Sequence, residues 1–129
     1  MDRIPRGDMV GRQVLIVEDE LLIALETKQQ VEHLGCAVLG PAGSVKAALD
    51  LLSAVIPDAA LLDVNLRGQR VTPVARLCRD RGIPFVLVTG YGRLTLEEPL
   101  LQGAPRVRKP FCADDIKRAL ADAINGGNE

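Results

Sequence analysis

Short apolar runs alternate with longer, mixed stretches along this chain. Positions 13–17, 37–39, 59–63, 84–89 and 106–109 carry runs of Val, Leu, Ile, Ala or Phe, too short for helices and rich in strand-forming residues. Between them, positions 20–34, 45–54, a stretch from the loop at 67–70 to about Asp80, and 113–124 have helical composition. In the first of these, Leu21, Leu22, Leu25 and Leu34 are available for packing, and Gly35 is a plausible stop. Gly40-Pro41 predicts a turn after the second strand, and Ser44 an N-cap for the helix that follows. One unit breaks the rhythm: 91–105 holds Gly92, Pro99, Gly103 and Pro105, which suit a short helical turn or an irregular loop better than a full helix. Alternation of nearly continuous apolar strands with helices predicts a parallel sheet covered on both faces, with right-handed crossovers.

With 129 residues the chain has the length of one domain. We expect it to span 12–125, with loose tails at 1–11 and 126–129. Hydrophobic residues make up 47% but aromatics only 2%, so the core must be aliphatic. Sixteen Lys and Arg against seventeen Asp and Glu leave no basic excess of the kind nucleic-acid binding uses. No apolar run approaches the roughly 18–20 residues of a membrane span, and the first residues lack a signal-type apolar core. Cys36, Cys78 and Cys112 are odd in number and scattered, which fits a reducing, cytoplasmic setting better than a disulfide framework. His33 has no role beyond an ordinary surface histidine.

The chemistry gathers where the runs end. Asp63 closes the run Ala59-Ala60-Leu61-Leu62, Glu18 and Asp19 follow Val14-Leu15-Ile16-Val17, Thr89 closes Phe85-Val86-Leu87-Val88, and Lys109 follows Val107-Arg108. Carboxylates at the end of a buried strand are costly unless something uses them. In open α/β sheets that edge is where ligands bind. Three clustered acids repel one another, and a divalent cation such as Mg²⁺ removes the penalty. A carboxylate can also act as nucleophile toward phosphorus, with Lys109 and the ion offsetting the charge of the transferring group. Against this, Glu18, Asp19 and Glu20 could simply open a helix, a lone lysine is ordinarily a solvated charge, and threonine is common at strand ends.

Val14 to Glu20, Asp63 with Asn65, Thr89-Gly90 and Lys109-Pro110-Phe111, in that order, resemble the receiver domain of two-component response regulators, over about residues 12–124. The resemblance implies a flavodoxin-like, doubly wound five-stranded sheet of order 2-1-3-4-5, here with a short or irregular fourth helix. It implies that Asp63 accepts a phosphoryl group from a sensor histidine kinase. Asp19, Asp63, Glu18 through water, and the Asn65 carbonyl would hold Mg²⁺, while Thr89, Gly90 and Lys109 serve the phosphoryl group. The side chains of Asn65 and Tyr91 would tune hydrolysis, and the bond before Pro110 would be cis. The segment 84–92 is partly similar to stand-alone regulators of the FAT GUY type, although Leu87-Val88 replaces Phe-Ala. One departure stands out: the aromatic switch residue three positions before the lysine is here Arg106. With nothing after Ile124 that could form an output domain, the resemblance implies a non-enzymatic phosphoprotein, monomeric or weakly dimeric. It would signal by protein contact with an effector or phosphotransferase, or act as a phosphate sink. A pseudo-receiver should lack one of the acids, the Thr or the Lys, and none is missing. A haloacid-dehalogenase-type phosphatase wants an acid where Asn65 stands.

Overall fold

A computed structural model describes residues 9–66, 68–90, 101 and 103–127. Five parallel strands, β1 (Gln13–Val17), β2 (Ala37–Ala42), β3 (Ala59–Asp63), β4 (Phe85–Thr89) and β5 (Arg106–Arg108), form one sheet in the order β2-β1-β3-β4-β5. Among the described residues, four helices alternate with them: α1 (Leu21–His33), α2 (Val45–Ala54), α3 (Thr72–Asp80) and α4 (Ala113–Asp122), the last running into a wide turn at Ala123–Gly127. This is the flavodoxin-like order expected.

The two-residue period of the strands sorts the core into two layers. Leu15, Val17, Ala60, Leu62, Phe85 and Leu87 pack with Ala48 and Leu52 of α2 and with Val74, Ala75 and Cys78 of α3. Val14, Ile16, Ala59, Leu61, Val86, Val88 and Val107 pack with Val31 of α1 and with Ile116, Ala119 and Leu120 of α4. Strands buried on both faces need the continuous apolar runs seen in the sequence. At the start of α2, the Ser44 hydroxyl accepts from the Ala47 amide at 3.1 Å, as its position predicts. Ser44→Ala should therefore cost about 1 kcal/mol, read as a lower urea midpoint with an unchanged slope.

Four expectations change. Leu21, Leu22 and Leu25 do not pack: they are 71%, 79% and 45% exposed. The buried residues of α1 are instead Ala24, Thr27 and Val31, with the Thr27 hydroxyl satisfied by the Ile23 carbonyl one turn back. Strand β2 does not stop at Leu39. It continues through a cis Gly40–Pro41 peptide to Ala42, whose carbonyl accepts from the Glu18 amide. The loop after β3 is partly a small antiparallel hairpin, Asn65–Leu66 against Gln69–Arg70, anchored by buried Leu66. Finally, Met9 is not tail: it is fully buried, its carbonyl accepts from the Cys36 thiol, and Gly11 bonds to Gly35. Methionine is flexible enough to fill a gap that a strict strand pattern does not announce. Most of the breaker-rich stretch 91–105 lies outside the described residues; Leu101 and Ala104 in it are buried.

Candidate functional site

Parity along the strands builds the site. Glu18 continues the Val14, Ile16 series, Asp63 the Ala59, Leu61 series, and Lys109 follows Val107, so all three belong to the layer shared with α1 and α4. Register then levels them. Val17 pairs with Leu62, which sets Glu18 beside Asp63; Asp63 is level with Val88 and Val88 with Val107, so Lys109 follows two residues beyond them at the C-terminal edge. The outcome is an ammonium between two buried carboxylates: Lys109 Nζ lies 2.9 Å from Glu18 Oε1 and 3.1 Å from Asp63 Oδ2. The remaining carboxylate oxygens are held by backbone. Glu18 Oε2 accepts from the Glu20 amide at 3.1 Å, and Asp63 Oδ1 from the Asn65 amide at 3.0 Å.

Electrostatics follow from this burial. The Glu18 carboxyl is pushed up to about 7: loss of water raises it most, the Lys109 ammonium pulls it back down, and Asp63 raises it again. For Lys109, burial works to lower the pKa, but Glu18 and Asp63 outweigh it and hold the ammonium above its usual range. Glu18, Asp19 and Asp63 can bring one oxygen each to within 4.8 Å of one another, a spacing that could hold a metal ion. Oxygen-only donors suit a hard cation such as Mg²⁺.

Thr89 sits at the same edge but on the α2–α3 parity, buried, with its hydroxyl 3.5 Å from the Val107 carbonyl. That long bond leaves it ready to turn to a better partner. Gly90 borders a cavity of about 530 Å³ with Asp63, Asn65, Lys109, Pro110 and Phe111, walled on the α1 side by Glu20, Ile23, Glu26 and Gln30. A Cβ at Gly90 would meet nothing within 4 Å, so its value there is the open space it leaves rather than an unusual backbone. The Lys109–Pro110 peptide is cis. Asn65 is exposed beside the cavity. Tyr91 lies outside the described residues. Arg106, which stands in place of the expected aromatic, is exposed on β5 next to buried Val107.

Sequence reasoning overlooked Gln30, which lines the same cavity and hydrogen-bonds Phe111 across 81 positions. No local pattern could have marked it.

Among known proteins, SdrG from Sphingomonas melonis Fr1 is 40% identical, with a TM-score of 0.78 over 88% of this chain and 96% of its own. The phyllosphere-induced regulator PhyR of Methylorubrum extorquens is 30% identical over 120 residues, 89% of this chain but 44% of its own length. PhyR from Bartonella quintana, described as an anti-anti-sigma factor, is 29% identical with a TM-score of 0.75, over 92% of this chain and 49% of that one. The chain thus spans about half of the PhyR proteins that it matches. It matches no family model.

Proposed function

Because this chain belongs to the receiver domains of response regulators, we propose that it accepts a phosphoryl group on Asp63 from a sensor histidine kinase and signals by protein–protein contact. The observation that carries this reading is the single ammonium of Lys109 shared by Asp63 and Glu18 at a strand-end cavity. A structural ion pair needs one carboxylate; two, with Asp19 beside them, suit a site that also takes a cation and an anionic group.

In the proposed reaction a carboxylate oxygen of Asp63 attacks phosphorus, an O–P bond forms, and the P–N bond of the donor phosphohistidine breaks, its imidazole leaving with a proton. Lys109 offsets the negative charge on the transferring oxygens, and the loosely held Thr89 hydroxyl donates to one of them. Gly90 leaves room for the group, and the Asn65 side chain borders the path of a hydrolysing water. Glu18, Asp19, Asp63 and the Asn65 carbonyl would hold Mg²⁺, which supplies charge neutralisation for the anionic transition state.

PhyR-type relatives point to regulation through a protein partner, and the output we assign here is of that kind. Among the described residues, no helix is long and apolar enough to cross a membrane. Incubation with Mg²⁺ and acetyl phosphate should add one phosphoryl mass, lost when EDTA replaces Mg²⁺. If neither acetyl phosphate nor a phosphorylated kinase labels the protein, the phosphoacceptor reading is wrong.

The raised Glu18 pKa adds a pH signature. Glu18 binds its proton more tightly in the fold than at its ordinary 4.5. In metal-free protein this stabilising contribution is full below about 4.5 and is lost as pH rises through about 7. Mg²⁺ requires the carboxylate, so its dissociation constant should rise by up to about tenfold per pH unit below 7 and flatten above it. The Mg²⁺-induced gain in Tm should accordingly be larger well above pH 7 than well below it, measured by calorimetry.

A further inference from the structure

Gln30 is the side chain that neither the strand-end chemistry nor the core explains. From α1, its Nε2 donates to the carbonyl of Phe111 at 3.0 Å. Its Oε1 is buried without a hydrogen-bond partner. The reverse amide orientation would oppose two oxygens at that distance, so the donor assignment holds. An acceptor shut away without a donor is unfavourable, and a leucine of similar size would avoid it. Stability alone does not call for an amide there.

The segment that Gln30 grips is the one that carries Lys109. β5 has three residues and lies at the edge of the sheet. Beyond it, the Lys109 amide donates to the Thr89 carbonyl at 2.8 Å, and the Cys112 amide to Asp115 Oδ2 at 3.0 Å. Between these two anchors stand the cis Pro110 bond and Phe111. Among the described residues, the Gln30 bond is the side-chain hydrogen bond that ties this stretch to α1, the helix that starts just after Glu18 and Asp19.

We propose that Gln30 is a positioning residue: its bond to Phe111 holds segment 109–112 so that the Lys109 ammonium stays between Glu18 and Asp63 during phosphoryl transfer. This rests on the phosphoacceptor reading given above. A lysine ammonium on a flexible stem stays in place only if its backbone does. Small displacements of a charge-stabilising group lower a transfer rate steeply.

The test compares the full chain with Gln30→Leu, and with Gln30→Glu, which keeps length but has no N–H to donate. Both should take up phosphoryl from acetyl phosphate about tenfold more slowly, and Gln30→Leu, which adds no charge, should keep Mg²⁺ affinity within about twofold of the parent. Gln30→Leu should keep or raise Tm, which a purely structural role would not combine with a slower rate. In a Lys109→Ala background, Gln30→Leu should bring no further loss, because the group it positions is gone. A rate within twofold of the parent, or losses that multiply with Lys109→Ala, overturns the proposal. If the parent itself takes up no phosphoryl group, the phosphoacceptor reading fails separately. The clamp is then read from the NMR order parameter of the Lys109 ε-methylene, which must fall in Gln30→Leu or the clamp is refuted.

Discussion

Asp63→Asn should take up no measurable phosphoryl group from acetyl phosphate and Mg²⁺, a loss of at least about a thousandfold in rate. The amide oxygen is a poor nucleophile and cannot form a stable acyl phosphate. The loss should not come from unfolding. Asparagine has the shape of aspartate, its Oδ1 can still accept the Asn65 amide, and Lys109 keeps Glu18 as a partner. Removing one of three clustered acids also relieves repulsion. Intact-mass analysis beside circular dichroism separates the two causes. Labelling of the variant at the parent rate would move the acceptor away from Asp63.

Lys109→Ala should do two things that Mg²⁺ separates. Glu18 and Asp63 are almost fully buried, their side chains 4% and 3% exposed, and the variant leaves both without their cation. Breaking a buried pair typically costs 3–5 kcal/mol; shared by two acids and partly exposed, Lys109 should cost about 3 kcal/mol. For a domain of this size that lowers Tm on the order of 10 °C. The effect should grow with pH, because loss of the ammonium raises Glu18 further and ionising it becomes more costly. Saturating Mg²⁺ should restore most of the Tm, since the ion replaces the missing positive charge. Phosphoryl uptake should stay about a hundredfold slow even then, because the lysine acts on charge that develops on the transferring oxygens. If Mg²⁺ restores the rate together with Tm, Lys109 is only structural. If it restores neither, the acids do not hold the ion.

These two residues also show what kind of information the linear chain carries. Asp63 and Lys109 are legible because each ends an apolar run, and a strand's end is a local property. Their pairing is not local: 46 positions separate them, and only the order β3-β4-β5 brings the end of β5 to the same edge as Asp63. Leu21, Leu22 and Leu25 show the opposite failure. Their composition promises burial, yet the buried residues of α1 are Ala24, Thr27 and Val31, the Thr27 hydroxyl being satisfied by the Ile23 carbonyl within its own helix. Met9 is legible only in the fold, because a single buried residue outside any periodic run leaves no pattern. β2 passes through Gly40-Pro41 because an edge strand tolerates the missing amide that an inner strand would not.

The sequence by itself determined the alternation of strands and helices, the two-layered aliphatic core, and the acids, hydroxyl and lysine at the strand ends. All of these follow from periods of two or 3.6 residues and from where each run stops. Only the tertiary structure decided that one ammonium serves both Glu18 and Asp63, that the Thr89 hydroxyl lies 3.5 Å from the Val107 carbonyl at the same edge, and that Gln30 bonds to Phe111, two residues after Lys109. Those facts rest on sheet order and on contacts across tens of residues, where the energy of a bond depends on burial and distance rather than on neighbours in the chain.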